Sequence, residues 1–570
     1  MRVDEYEFSE EGRALASADH GDDWPVVYII SGDEEAYIGE TCSVVNRFHQ
    51  HLQNAERRKL RRIDIVLDEM FNKSATLDIE QSLIRLFGAD GKFRLQNLNG
   101  GQSVSHDYYQ REIYRNALPE IWRLLREREL TDHDYRTLLN SDLFKYSPYT
   151  SLTAEQWDVC IDIIDEFVRT SSQGREWTAV VQGSAGTGKT MLAVVMMSIL
   201  DEAMRVRVDP GRNTIGYSDE ESAMHELNTL LADGRKLRIG LVVPMTSLRG
   251  TLGKVFKETR NGLKANMVMG PSDVVRDFQE NGPFDILIVD ESHRLSTKKN
   301  IQNQKAFSSA CGRLGLDPKE ASQLDWVMRC SRYRVLLYDP EQTVKGSDIT
   351  AEQFNKTVGP DRTDHLLRTQ LRCMGGGDYP RYVRKILECT QDGAEKVENY
   401  DLRIFDDAGE MVDRIRELDS VFGLCRTVAG YSWEWRTRDM KLEDVLEQGL
   451  YDIGIGPHRY VWNMKKDGWI LRENSVNEIG CIHTVQGYDL NYVGVIFGRE
   501  IDYDAETDRI TVDLSRFYDV NVKKGTDPET VRRFIINSYR VMMTRGIRGC
   551  YVYACNPGLA EYLRRFIQSS

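Results

Sequence analysis

Eight consecutive residues carry the clearest chemistry in this chain. Gly183, Ser184, Ala185, Gly186, Thr187, Gly188, Lys189 and Thr190 stand between the apolar run Thr178-Ala179-Val180-Val181 and a helical pattern from Met191 to Met204. The glycines let backbone N–H groups turn toward a phosphate chain, and the helix behind them adds the positive end of its dipole. In such a P-loop Lys189 reaches the outer phosphates of ATP, and the Thr190 hydroxyl is placed for Mg²⁺. About a hundred residues later the apolar run Phe284 to Val289 ends in Asp290-Glu291-Ser292-His293. Acids at the end of a buried strand supply the second part of a phosphoryl-transfer site: Asp290 holds Mg²⁺ through water, and Glu291 orients or deprotonates the attacking water. Gln342, just past the strand Tyr333 to Tyr338, is placed to sense the γ-phosphate. Gln156, on a helix some thirty residues before the P-loop, has an amide able to pair with a donor and an acceptor on an adenine edge.

A second gathering of polar groups lies near the N-terminus. Val26 to Ile30 reads as a strand, Ser31 to Glu35 as a tight turn and Ala36 to Gly39 as the returning strand, so that Tyr28 and Tyr37 sit on one hairpin. Arg47 and His51 follow on a helix, four residues apart and therefore on one face. Glu80 lies on an amphipathic helix from Leu77 to Phe87, and the loop Arg94 to Gly101 offers Asn97 or Asn99.

The elements that must position these residues are those of an ordinary globular chain. Its 570 residues have room for about three domains. With 41% hydrophobic and 29% charged residues, and no apolar window of membrane length, no membrane partner is expected. Ten cysteines without a CxxC pair read as reduced thiols, and the acidic N-terminus lacks the basic and apolar residues of a signal, so a cytoplasmic protein is expected. Residues 1–23, with eight acidic and two basic side chains, read as a solvated, partly disordered extension. A net charge of -14 argues against coating nucleic acid over the whole surface. The basic run Arg57 to Arg62 is either a phosphate contact or a solvated helix face. Residues 123–150 read as a helical linker, broken at Tyr146-Ser147-Pro148, and residues 205–237 as an insertion. Thr246 follows the strand Ile239 to Val243, where strand ends of an open parallel sheet line a ligand crevice.

The second half must supply positive charge to the phosphates, as arginines of a neighbouring domain usually do in phosphoryl transfer. Its candidates are Arg372 in LLRTQLRC and Arg545 and Arg548 in YRVMMTRGIR. Trp433, Trp435, Trp462 and Trp469 read as core residues before stacking platforms for bases.

Two resemblances join these readings. The hairpin tyrosines with Tyr37-Ile38-Gly39, then Arg47, His51, Glu80 and the asparagine before NGG, resemble GIY-YIG nucleases over about residues 24–122, although Val27 stands where glycine is usual. That resemblance implies phosphodiester hydrolysis with one divalent ion (Mg²⁺ or Mn²⁺) on Glu80, Tyr28 or Tyr37 helping to take a proton from water, and Arg47 stabilising charge on the phosphate. From Gln156 through the P-loop, DESH, DPEQ, LRTQLRC, HTVQGYD and YRVMMTRGIR, the chain resembles a superfamily 1 helicase motor. The GYSWEW and VWN segments at Gly430–Trp435 and Val461–Asn463 make it most similar to Schlafen group 3-like DNA/RNA helicase domains. This implies that Arg372 and Arg545 contact ATP phosphates across a cleft and that Gln486 and Gly487 couple ATP to a strand. Asp489 stands where such motors usually carry glutamate. The fold class expected is α/β: a small α+β GIY-YIG nuclease domain followed by two RecA-like P-loop domains with parallel sheets. The expected boundaries are 1–23, 24–122, 123–150, 151–345 and 346–570. The function implied is an ATP-dependent helicase or translocase with an endonuclease, on DNA before RNA, single-stranded or branched, in phage defence or DNA repair. Its alternative is an ATP-controlled binding switch with an inactive nuclease.

Overall fold

A computed structural model describes residues 1–19, 24–97, 111–149, 152–205, 219–231, 234–259, 262–299, 301, 303–339, 342, 347–371, 373–438, 440–464, 469–472, 474–485, 488–523 and 527–570. Three sheets organise it. The first has five strands in the order Arg2–Glu7, Arg62–Leu67, Val26–Ser31, Glu35–Thr41, Arg94–Leu95, antiparallel except for the last pair. Successive residues of its central strand alternate between two cores, Val27 and Ile29 on one side, Val26, Tyr28 and Ile30 on the other. Tyr28 thereby faces the helix Val44–Gln53, and its register partner is Gly39.

The second sheet has six parallel strands in the order Thr363–Leu367, Trp177–Gly183, Ser331–Tyr338, Phe284–Val289, Ile239–Val242, Val268–Met269. Helices cover both faces, so Val181, Leu337 and Ile288 enter one core while Val180, Leu336 and Val289 enter the other. That double burial is why these strands are apolar throughout. The third sheet, also parallel, runs Ile479–Gly480, Arg426–Ala429, Leu490–Phe497, Gly546–Ala554, Asp401–Ile404, Gln568–Ser569. Among the described residues, no helix is long and apolar enough to cross a membrane.

Three expected boundaries are corrected. Residues 2–19 are folded: Arg2–Glu7 is the edge strand against Arg62–Leu67, Val3 and Phe8 are buried, and Glu5 meets Arg62 at 3.2 Å. The acids are this element's solvent side, and composition alone conceals the few apolar residues that anchor it. Residues 123–150 are no linker either. The helix Arg111–Glu127 continues through position 123, and Leu125, Leu130, Leu138 and Tyr149 complete the N-terminal core. The same segment touches both other domains: Leu143 and Tyr146 pack on the P-loop domain, Arg136 donates to Ser420 O at 2.8 Å, and Lys145 Nζ to Asp489 O at 3.3 Å. Finally, the P-loop domain runs past 345, because Thr363–Leu367 is its edge strand and Phe354 and Val358 enter its core. Part of the 205–237 insertion, the helix Asp219–Leu230, buries Leu227 in the same domain.

Candidate nucleotide cleft and N-terminal polar cluster

The P-loop turns as its glycines require, with Gly186 at φ 89° and Gly188 at φ 76°, a region L side chains rarely adopt. A Cβ at Gly188 would also lie 2.3 Å from Gln156 Nε2. Gln156 is buried and its amide is engaged at both ends: Oε1 accepts from Thr153 N–H at 3.0 Å in a capping box, and Nε2 donates to Thr187 O at 3.0 Å. Gln156 thereby braces the loop from the helix before it. The segment expected to hold Arg372 lies on that loop, with Gln370 Nε2 donating to Ala185 O at 2.7 Å and Leu371 N–H to Gly186 O at 2.8 Å. Glu155 holds this segment by accepting from the N–H groups of Arg368 and Thr369, each at 2.9 Å. Arg372, Gln486 and Gly487 lie outside the described residues.

Lys189 Nζ donates to Gly183 O at 2.6 Å and Ser184 O at 3.0 Å and lies 3.6 Å from Asp339. Thr190 Oγ1 donates to Asp290 Oδ2 at 2.7 Å, which places the hydroxyl and carboxylate that would share Mg²⁺ side by side. Burial and then the neighbouring Glu291 push Asp290 up to about 6. A divalent cation would relieve that cost, so the donor set fits the ion.

Glu291 adopts φ 49°, ψ 45°, strained for a residue with a side chain, as is common where surrounding structure fixes a functional group. Its Oε2 lies 2.9 Å from His293 Nε2. Asp339 N–H donates to His293 Nδ1 at 3.2 Å, so the imidazole proton sits on Nε2, close to Glu291 Oε2 though not at a hydrogen-bonding angle. Burial works to raise Glu291, but His293, then Lys189 and Arg294, outweigh it and hold the group well below the usual carboxylate range.

Asp339, which the sequence did not single out, joins the two halves. Its Oδ2 accepts from Gln342 Nε2 at 2.7 Å, and Gln342 Oε1 accepts from Arg545 at 3.3 Å. A chain of side chains thus runs from Lys189 through Asp339 and Gln342 to an arginine beside the other sheet. Arg545 is buried at 2% exposure. Arg548 is not brought there: its guanidinium lies 4.9 Å from the Phe422 ring, toward the helix Ala408–Phe422. Arg545→Ala is therefore expected to slow ATP hydrolysis by about 10³-fold while nucleotide binding weakens far less, and Arg548→Ala to change neither. Single-turnover hydrolysis with a parallel binding titration checks this, and the reverse ranking would show that the wrong arginine was chosen.

Of the four tryptophans, Trp433, Trp462 and Trp469 are buried in the second domain, as core residues are. Trp435 is half-buried against Trp462, with Arg438 5.5 Å from its ring.

In the N-terminal domain the predicted residues do converge. Tyr28 Oη lies 2.7 Å from His51 Nε2 and accepts from Arg47 Nε at 3.3 Å. Tyr37 packs at a tilt beside both rings, 6.3 Å from Tyr28 and 5.0 Å from His51. Gly39 is required here, since a Cβ would come within 2.2 Å of Tyr28 Oη. Asn97 Oδ1 accepts from Ile38 N–H at 3.0 Å and its Nδ2 donates to Ile38 O at 2.8 Å, stitching its loop to the hairpin. Asn99 lies outside the described residues.

Burial and then Glu40 push Glu80 up to about 7, with Lys73 and Arg47 opposing. The site therefore has room for positive charge, and Glu80 fits a divalent ion. Glu40, missed in the sequence, pairs with Lys73 and accepts from Thr76 Oγ1 at 3.4 Å. The run Arg57 to Arg62 is not one basic patch. Lys59 meets Glu56 at 2.7 Å, Arg61 meets Asp33 at 3.0 Å and Arg62 meets Asp64 at 2.7 Å.

Two parallel sheets with a P-loop at one strand end, and an arginine beside the other sheet reaching its neighbourhood, define a helicase-like P-loop ATPase domain. The chain belongs to the Schlafen group 3, DNA/RNA helicase domain family, whose model matches residues 177–556. It is also similar to an uncharacterized protein of Saccharomyces cerevisiae, YPL245W, at 27% identity over 425 residues, 68% of this chain and 83% of that protein. Among solved structures it matches the DUF1998 helicase MrfA bound to DNA and AMPPNP, with 11% identity, TM-score 0.25 and coverage of 77% of this chain and 53% of that one. A second match is the Escherichia coli DEAH/RHA helicase HrpB, at 10% identity, TM-score 0.21, 72% of this chain and 44% of that one. The chain thus spans about half the length of these two structures.

Proposed function

We propose that the protein is an ATP-driven helicase or translocase on nucleic acid, DNA before RNA, fused to a metal-dependent endonuclease of GIY-YIG type. For the motor, the observation that carries the reading is the chain Lys189–Asp339–Gln342–Arg545. It would let the state of the P-loop domain be felt by the second domain. Bound Mg²⁺ and ATP supply the phosphoanhydride and the charge that offsets its oxygens. The protein's part is then to hold and orient: Lys189 and the P-loop backbone take the phosphates, Thr190 and Asp290 the cation. Glu291 is kept ionised by His293 and directs a water, while Arg545 brings positive charge from the other domain.

For the nuclease, the convergence of Tyr28, Tyr37, Arg47, His51 and Glu80 supports the reading. Glu80 would hold the divalent ion, which lowers the pKa of bound water and neutralises charge on the phosphate. Arg47 adds fixed positive charge, and the tyrosines offer hydroxyls for a proton relay. Burial, then Tyr37, raises the Tyr28 phenol well above its ordinary value against the pull of Arg47, so at neutral pH it is protonated. Such a pairing of motor and nuclease suits phage defence or DNA repair. A panel of labelled DNA and RNA forms, single-stranded, duplex and branched, with Mg²⁺ or Mn²⁺ and with or without ATP, tests both halves. Neither strand displacement nor cleavage on any member would leave only an ATP-controlled binding switch.

Glu80 also gives a stability prediction. Its folded pKa, about 7, lies above the ordinary 4.5, so the metal-free protein loses stability as pH rises through that window. In chelator at pH 8, Glu80→Gln is expected to melt a few degrees higher than the parent, with no such gain at pH 4.5. Mn²⁺ should raise the parent's transition at pH 8 and not that of the variant. Equal melting curves at both pH values would contradict the burial cost assigned to this carboxyl.

A further inference from the structure

Arg57 belongs to none of the motifs that bring the N-terminal cluster together, yet its guanidinium touches two members of it. It begins the short turn Arg57–Lys59, where Asn54 Oδ1 accepts from the N–H groups of Glu56 at 3.0 Å and Arg57 at 3.1 Å. From there its Cζ lies 3.7 Å from the centroid of the Tyr37 ring, and a terminal nitrogen lies 2.7 Å from His51 Nδ1. Arginine has five N–H donors, no acceptor, and keeps its proton in proteins. His51 Nδ1 must therefore be the acceptor, and it carries no hydrogen. A neutral imidazole then bears its one proton on Nε2, the atom 2.7 Å from Tyr28 Oη.

The charge around the ring keeps it in that form. Arg57 faces it from the turn and Arg47 from its own helix, while the hairpin contributes only the phenols Tyr28 and Tyr37. Among the described residues no carboxylate forms an ion pair with His51. Burial, then Arg57 and Arg47, push the imidazole down to about 3.

We propose that Arg57 is a positioning residue of the N-terminal site, locking His51 in the neutral Nε2–H tautomer so that His51 donates to Tyr28 and does not take its proton. Tyr28 Oη then accepts from two N–H groups, His51 Nε2 and Arg47 Nε. Its own hydroxyl hydrogen is left to bond a third partner, a water or phosphate oxygen of the strand. Without Arg57 the Nδ1–H tautomer becomes accessible; its bare Nε2 would accept from Tyr28 and turn that hydrogen inward. A lysine at 57 retains a donor for Nδ1. The proposal rests on the nuclease reading for its functional meaning but not for its geometry.

The test uses the full chain labelled with ¹⁵N-histidine, with His51→Gln identifying one of the ten histidines. In the parent the His51 ring should show an unprotonated Nδ1 and a protonated Nε2, unchanged from pH 8 to pH 5. Arg57→Met should shift it toward Nδ1–H, let it titrate between pH 5 and 7, and lower metal-dependent cleavage of labelled DNA by about 10²-fold. Arg57→Lys should keep the parent tautomer and most of the cleavage. A protonated Nδ1 in the parent, or a His51 signal that Arg57→Met leaves unmoved, overturns the proposal even if cleavage falls, because Arg57 would then act through its charge alone. A parent that cleaves no DNA or RNA while its tautomer responds as expected overturns the nuclease reading and leaves the lock in place.

Discussion

Glu291→Gln should lower ATP turnover by about 10²- to 10⁴-fold while nucleotide still binds, because the substitution removes only the carboxylate that directs the water. The amide keeps the size of the side chain, and the left-handed backbone at φ 49° is set by the residues around it. What is lost is an ionised group that His293 Nε2, 2.9 Å away, keeps charged in a buried setting. Lys189→Ala should abolish turnover by a different route. It leaves Asp339 facing Gln342 without the cation 3.6 Å away, and it withdraws the charge meant for the phosphates, so binding and hydrolysis fall together. In the unmutated protein, single-stranded nucleic acid should stimulate hydrolysis, since an engaged strand would draw the two sheets' domains together and seat Arg545. Steady-state ATPase assays with and without a strand, beside a nucleotide-binding titration, separate these effects. Undiminished turnover in either variant would remove the ATPase assignment at these residues.

Loss of all strand cleavage with ATPase retained is the expected phenotype of Glu80→Ala. Among the described residues no group of three or more His, Cys, Asp or Glu side chains gathers to hold a metal, so this one carboxylate is asked to carry the ion with water and substrate. Removing it should leave Tyr28, Arg47 and His51 in place, since hydrogen bonds to one another and to Arg57 hold them. The reverse variant separates the two engines. Lys189→Ala should cleave with reduced efficiency, because a chain of net charge -14, whose basic run is largely paired with acids, holds a strand poorly without its motor. Both variants are compared on one labelled substrate at fixed ionic strength. Cleavage that persists in Glu80→Ala would move the nuclease elsewhere in the chain, and unaltered cleavage in Lys189→Ala would show that it acts without the motor.

How much of this was legible beforehand follows from the range of the interactions. The P-loop and the acids after Phe284–Val289 were readable because their geometry is local: positive φ at Gly186 and Gly188, and a strand whose two faces are both buried, leave their mark on adjacent residues. The N-terminal hairpin was readable for the same reason, since a tight turn fixes the register that sets Tyr28 against Gly39. The family match over residues 177–556 agrees with the order of motor motifs. Composition misled where few residues carry an element. Val3 and Phe8 anchor a strand and helix that eight acids made look solvated, and Thr363–Leu367 joins a sheet whose paired strand lies nearly two hundred residues earlier.

The resemblance pointed to Arg545, and the tertiary structure shows where the side chains of Arg545 and Arg548 go. Arg545 stands in the turn before Gly546–Ala554 and meets Gln342, whereas Arg548, on that strand, lies beside the Phe422 ring. Tertiary structure also decided that Asn97 reaches Ile38, that Gln156 braces the P-loop, and that Asp339 and Arg57 belong to the two sites at all. Local propensity describes how a segment folds, whereas these contacts depend on where packing brings segments distant in sequence, and no short window of residues carries that information.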